Sequence, residues 1–276
     1  MGHAADGQTH AEARAGDDAD GPILEARGIS KSFGHVEALR GADFSARAGE
    51  VTALIGDNGA GKSTLVKILS GVYRASAGEI FIRGRKVSFD SPAAAHAAGV
   101  ETVYQDLSVA QDLSPAANMF MGREKLLPGL LGRLGFLDNA AMRRESLLAF
   151  QRLRVSLKDM DTPVSSLSGG QRQSVAICRS IMWARSVVFM DEPTAALGVV
   201  QTGRTLDLIR RIRDTGVAVV LISHNMRDVI QVADVIEVLR LGRRIARMPN
   251  KGITVQDLVG AMTGALDAEG EEGVAA

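Results

Sequence analysis

The chain has 276 residues, 46% of them hydrophobic, enough for the core of one large domain or two small ones. That excludes a disordered or fibrous protein, and equal counts of 32 basic and 32 acidic residues argue against a general nucleic-acid binder. A lone cysteine, Cys178, excludes an intramolecular disulfide framework and suits a reducing compartment.

Residues 1–21 are rich in Ala, Gly, Asp and His and lack the basic start and apolar core of a signal peptide, so a disordered leader is expected. No window reaches the ~20 apolar residues of a membrane helix, so the protein is expected to be soluble and to act at a membrane only through a partner. Residues 23–26 and 44–46 predict short strands. Residues 51–55 form an unbroken apolar run, as in a parallel sheet covered on both faces. Leu65, Ile68, Leu69 and Val72 then recur at helical spacing, and residues 78–87 predict a hairpin turning at Gly84.

From about residue 107 to 168 strand signals vanish and Ala, Leu, Met and Arg dominate, which predicts a helical insertion. Within it, the Gly-rich apolar stretch 126–137 is expected to be a loop packed between helices rather than a membrane-facing contact. A helix is expected over 171–184, with Cys178 as a small buried apolar residue. Strand 187–190, helix 203–213, strand 217–223 and a hairpin around Gly242 follow. Residues 265–276 form an acidic tail expected to be disordered. No internal repeat is visible, so the chain reads as one unit.

Gly56-Asp57-Asn58-Gly59-Ala60-Gly61-Lys62-Ser63-Thr64 is a complete phosphate-binding loop, set between a predicted strand and a predicted helix. Its glycines let successive N–H groups converge on phosphate oxygens, and the helix start adds its positive dipole end. Lys62 is expected to reach the β- and γ-phosphates, Ser63 to bind Mg²⁺ through its hydroxyl, and Thr64 to add a second phosphate contact. Asp191 and Glu192 end the apolar run 187–190, so their carboxylates are expected at the carboxyl edge of the sheet, where α/β folds bind ligands. Glu192 is the candidate general base or positioner of an attacking water. His224 follows strand 217–222 and is placed to meet a γ-phosphate. His3, His10, His35 and His96 have no such context.

Leu167-Ser168-Gly169-Gly170-Gln171 supplies a hydroxyl, two unobstructed N–H groups and a helix start, the parts of a second phosphate cradle. In this order the segments resemble the ATP-binding subunits of ABC transporters over about residues 24–264. The resemblance implies an α/β fold: a P-loop NTPase core of ABC ATPase type with a small antiparallel β subdomain and a helical insertion, spanning 22–264, with ATP and Mg²⁺ as cofactors. It implies that Asp191 holds Mg²⁺, and that Gln105, in Val103-Tyr104-Gln105-Asp106, contacts Mg²⁺ and the attacking water. Phe33 falls where the family stacks an aromatic ring on adenine. Ser168, Gly169, Gly170 and Gln171 would close over ATP held by Lys62 of a second copy, in a head-to-tail homodimer. One departure stands out. The family commonly has Ser-Ala-Leu-Asp after the acidic pair, whereas this chain has Ala195-Ala196-Leu197-Gly198, which puts one cross-dimer contact in doubt.

Finer stretches, Gly56-Asp57-Asn58-Gly59-Ala60-Gly61, Val103-Tyr104-Gln105-Asp106-Leu107, Ile222-Ser223-His224-Asn225-Met226 and Met262-Thr263-Gly264-Ala265, look like those of bacterial monosaccharide importers of the ribose, xylose and fructose type. That resemblance implies ATP hydrolysis that powers sugar import through an integral-membrane permease. It further implies a peripheral position on the cytoplasmic face of the cell membrane, an extracytoplasmic sugar-binding protein in the same system, and no nucleic acid. A permease helix is expected in a groove bordered by Gln105 and residues 107–121, with Leu113, Met119 and Phe120 available for packing. Two other readings stand beside it. A soluble ABC ATPase of DNA repair or translation is opposed by the single cysteine, single unit and zero charge. A nucleotide-binding regulator with little turnover would rest on the altered Ala195-Ala196-Leu197-Gly198 segment.

Overall fold

The structure, a computed structural model, describes residues 21–103, 109–157, 159–195 and 197–264. Its centre is a six-stranded sheet in the order β10-β9-β3-β8-β7-β6. The strands are β3 (Val51–Ile55), β6 (Val100–Val103), β7 (Val187–Asp191), β8 (Ala218–Ile222), β9 (Val235–Arg240) and β10 (Arg243–Pro249). All neighbours pair in parallel except β10, which runs antiparallel at one edge. Alternate residues face two separate cores, which is why these strands read as unbroken apolar runs. Val51, Ala53, Val188, Met190, Val219 and Leu221 belong to one core, and Leu54, Val187, Phe189, Val220 and Ile222 to the other.

The first core is closed by α3 (Pro115–Phe120), α5 (Asn139–Arg152), α6 (Gly169–Trp183), α7 (Val199–Asp214), α8 (Met226–Val232) and α9 (Val255–Thr263). The second is closed by α1 (Lys62–Leu69), α2 (Pro92–Ala97) and a four-stranded antiparallel sheet. That sheet has the order β2-β1-β4-β5, from β1 (Leu24–Phe33), β2 (Val36–Ala46), β4 (Ala77–Ile82) and β5 (Arg85–Val87). Helix starts follow local chemistry. Ser91 and Ser114 each accept a hydrogen bond from the backbone N–H three residues on, with proline at the first helical position. Phe189 is fully buried, and its truncation to Ala is expected to cost about 3–5 kcal/mol.

Three expectations need correction. The strands foreseen at 23–26 and 44–46 are the inner ends of β1 and β2, 10 and 11 residues long. Apart from buried Ile29, Leu39 and Ala42 their outer halves are half-buried or exposed, and register shifts at Ala26/Ile29, Ile29/Ser30 and Lys31/Ser32 break them, so no alternation marks them. Val72 lies outside its helix: α1 stops at Leu69, and Gly71 turns the chain at φ +76°. A side chain at Gly71 would collide with the carbonyl of Ser91.

The third correction concerns 126–137, which does not pack between helices. Leu126 bridges Leu137, Leu127 N–H donates to Phe136 O at 2.9 Å, and Asp138 N–H to Lys125 O at 2.7 Å, making a hairpin-like arm. Its tip is one helical turn, α4 (Leu130–Arg133). Leu130 and Leu134 are 72% and 66% exposed. Residues 1–20 and 265–276 lie outside the described residues.

Candidate nucleotide site

β3 delivers the chain into the phosphate loop at the carboxyl edge of the sheet, and α1 begins at Lys62. Gly56 has φ +151° and Gly61 φ +103°, and Gly61 caps α1. A Cβ at Gly61 would lie 2.7 Å from Ala38 O and 2.8 Å from Leu39 Cδ2, so only glycine fits where the outer sheet presses on the loop. Ala60 N–H closes the loop on Asp57 O at 3.1 Å, and Ala60 O accepts from Gly242 N at 3.0 Å. Asp57, Asn58, Gly59 and Ser63 are exposed, while Thr64 is half-buried. Lys62 Nζ donates to Gly56 O (2.6 Å) and Asp57 O (2.9 Å), holding its charge across the loop. Burial pulls the Lys62 ammonium below its ordinary range, against the opposing pull of Glu192, Asp57 and Asp191.

Asp191 ends β7 in register with Ile222 at the end of β8, and Leu54 of β3 pairs with the same Ile222. The acidic pair, Ser223-His224 and the phosphate loop therefore share one sheet edge. Burial raises the Asp191 carboxyl above its ordinary range, against the pull of Lys67 and Lys62. Glu192 sits at φ +49°, a left-handed conformation costly for a side chain with a Cβ and typical of functional sites. It is held there because its N–H donates to Ile222 O at 2.9 Å. Its Oε1 accepts from His224 N at 3.0 Å and lies 2.6 Å from His224 Nδ1. The Glu192 side chain is 15% exposed and the His224 ring 77% exposed, so one end of this pair is anchored and the other faces solvent.

Phe33 ends β1 half in solvent and meets Tyr73 edge to face, with centroids 5.3 Å apart. Lys31 and Lys67 bring ammonium groups over the Phe33 and Tyr73 rings at 5.2 and 5.5 Å. Tyr73 N–H donates to Lys67 O, which ties the aromatic pair to the end of α1.

The second cradle stands apart. Ser168 caps α6, its Oγ accepting from Gln171 N at 3.3 Å while Gln171 Oε1 accepts from Ser168 N at 3.0 Å. The Gln171 carbonyl is thus engaged in its own helix cap, while its amide N–H groups take no part in that bond. Ser168 keeps its hydroxyl proton and Gly169 keeps an open flank, since a Cβ there would meet nothing within 4 Å. Ser168, Gly170, Gln171 and Gln201 line a cleft of about 900 Å³ that includes no phosphate-loop residue. One chain therefore brings Lys62, Asp191, Glu192 and His224 to one edge and opens Ser168 and Gly170 onto a separate cleft. Gln105 lies outside the described residues.

An ABC transporter family model matches residues 39–195, from β2 through the phosphate loop and the second cradle to the acidic pair. The chain belongs to the ABC transporter family. It is 47% identical over 248 residues to the fructose import ATP-binding protein FrcA of Rhizobium meliloti, covering 89% of this chain and 95% of that one. It is 41% identical over 241 residues to the xylose/arabinose import ATP-binding protein XylG of Sulfolobus acidocaldarius, covering 87% and 94%. Among solved structures, an ATP-binding cassette of an ABC transporter superposes with a TM-score of 0.74 at 24% identity, covering 90% of this chain and 98% of that one. That likeness shows the ABC cassette fold.

In this member of the ABC transporter family the expected permease contacts need revision. Met119 and Phe120 are fully buried, with Phe120 edge-on to Trp183 at 5.6 Å and Trp183 Nε1 donating to Met119 O at 3.0 Å. They are core residues of the helical layer, although Leu113 is 43% exposed. A groove of about 690 Å³ lies nearby instead, lined by Ala93, His96, Arg123, Met182, Trp183 and Arg185. Beside it, buried Glu101 is paired with Arg123 at 2.9 Å, and His96 Nδ1 lies 3.0 Å from its other carboxylate oxygen. Three contributors escaped the sequence reading. Tyr73 partners Phe33. Buried Asp228 accepts from Thr194 Oγ1 at 2.7 Å, joining α8 to the loop after Glu192. Gln201 lies against both Gly170 and Gly198, since a Cβ would fall 3.2 Å from its Cγ at the first and 2.9 Å from its Oε1 at the second.

Proposed function

We propose that this chain is the ATP-hydrolysing subunit that powers import of a monosaccharide through a partner permease. The observation that carries this is the 47% identity, spread along nearly the whole of both chains, to a fructose import ATP-binding protein. ATP would lie with its phosphates on the loop 56–64 and its base against Phe33. Lys62, already poised over the loop, holds the β- and γ-phosphates. Mg²⁺ fits the donors present, because Ser63 offers an exposed hydroxyl and Asp191 a carboxylate, the hard oxygen ligands it prefers. When bound it would neutralise charge on the phosphates. Gln105 is assigned here to that ion and to the attacking water.

Glu192 accepts a proton from the attacking water, or fixes its direction, on the far side of the γ-phosphate from the leaving group. His224 keeps the Glu192 carboxylate turned toward the sheet edge by its N–H and ring. Ser168, Gly169 and Gly170 are proposed to meet the γ-phosphate of a second, head-to-tail copy, since their cleft holds none of the chain's own phosphate loop. ATP then links association to binding. A cytoplasmic segment of the permease is proposed to occupy the groove of Arg123 and Trp183, which holds the subunit peripherally on the cytoplasmic face. An extracytoplasmic sugar-binding protein belongs to the same system.

The test is uptake of labelled pentoses and hexoses by proteoliposomes containing the permease, with this chain and ATP enclosed. ATP-dependent uptake that disappears with Lys62→Ala is the expected result. Hydrolysis with no uptake of any sugar would overturn the import reading.

A further inference from the structure

The arm between Lys125 and Leu137 is not used by any step above. Its six large apolar side chains, Leu126, Leu130, Leu131, Leu134, Phe136 and Leu137, are between 42% and 72% exposed. The arm holds its own shape through the Leu126–Leu137 bridge and the turn α4, so the exposure is built in rather than left by a missing strand. A cluster this dense on a surface marks a binding site for something apolar. No acidic residue occurs from 125 to 137, where the charges are Lys125 and Arg133. Lys125 is tied to Glu145 at the base. Among the described residues Arg133 has no ion-pair partner, and it stands at the tip among the leucines.

We propose that this arm inserts into an anionic lipid surface, with the leucines and Phe136 in the headgroup–acyl boundary and Arg133 against anionic headgroups. Arg133, at the tip, is a charge complementary to anionic headgroups. The cytoplasmic leaflet carries a negative surface potential that attracts it. Apolar side chains on one small element with a basic residue beside them are also the pattern by which interfacial segments lie in a membrane. The position agrees: Gly122 and Arg123, which line the groove proposed for the permease, stand just before the arm, with Glu124 between. The arm would give the subunit a direct hold on the bilayer, where the sequence alone pointed only to a partner. Neither ATP nor permease enters the contact, so its failure would leave the ATPase reading standing.

The test is co-sedimentation of the full chain with vesicles of phosphatidylcholine, with and without phosphatidylglycerol. Binding that rises with phosphatidylglycerol and falls with added salt is expected. Leu130→Ser combined with Leu134→Ser should lower partitioning by about tenfold or more, from the apolar area lost. Arg133→Glu should abolish the preference for phosphatidylglycerol. ATPase activity should be unchanged in both variants, since the changed side chains are exposed and far in sequence from the nucleotide site. Absence of wild-type binding, or equal binding by the serine variant, would overturn the proposal. So would a serine variant that loses only permease association in detergent or only self-association, while binding vesicles like the wild type.

Discussion

His224 grips Glu192 twice, through a backbone N–H at 3.0 Å and a ring nitrogen at 2.6 Å, both on the same carboxylate oxygen. The two grips can be separated by mutation. His224→Ala removes the ring but keeps the backbone donor. A hydrogen bond to a charged group is worth about 1.5–3 kcal/mol, so kcat should fall by about 10- to 100-fold. KM for ATP should hold, because the contact orients a catalytic carboxylate rather than binding phosphate. An equal rise in KM would move His224 from positioning to substrate binding.

Phe33 is 42% exposed, so its ring adds little to the fold. Phe33→Ala should leave the melting temperature nearly unchanged while raising KM for ATP by about 2- to 10-fold, the range of an aromatic stacking contact. Phe33→Tyr should restore it. A large drop in melting temperature with KM unchanged would assign Phe33 to packing against Tyr73 alone.

Gly198 caps α7 with φ −72° and ψ 163° and no side-chain hydrogen bond, a backbone any residue can adopt. Gly198→Asp should therefore improve the cap by about 0.3–1 kcal/mol, displacing only the far end of Gln201. The melting temperature should rise by about 1–4 °C. A fall would show that the Gln201 amide between Gly170 and Gly198 is held in place.

Glu237 on β9 is fully buried and joins the two sheets, its Oε1 accepting from Ser45 N at 3.1 Å. Arg247 lies 3.1 Å from Oε1 and Arg244 3.7 Å from Oε2. Burial raises its carboxyl above the ordinary range, outweighing the Ser45 N–H and the two arginines. Between the ordinary value and the raised one the native state binds more protons than the unfolded state. This group's contribution to stability therefore falls as pH rises through that window. Glu237→Gln lacks the titration, so its stability relative to wild type should grow in thermal melts as pH rises above the ordinary glutamate range. Parallel pH curves for the two proteins would contradict this.

What the sequence disclosed depended on how locally each feature is determined. β3, β7 and β8 are buried on both faces, so their own residues announced them, and the phosphate loop and Asp191-Glu192 followed from where those strands end. The outer half of the β1–β2 hairpin is held by backbone hydrogen bonds with mixed side chains, and no periodicity marks it. The stretch 126–137 is apolar whether packed or exposed, and composition could not say which. Met119 and Phe120 failed as docking residues for the same reason. The Tyr73–Phe33, Asp228–Thr194 and Gln201–Gly170 contacts join distant segments and carry no local signal.

In the proposed mechanism Glu192 activates the water that attacks ATP. Single-turnover hydrolysis of Mg-ATP by Glu192→Gln, run beside the wild type with binding measured separately, tests it most directly. The account predicts unchanged ATP affinity and a rate lowered by about 10²-fold or more, the range of a general-base contribution. Hydrolysis within a few-fold of wild type, with affinity intact, would contradict it.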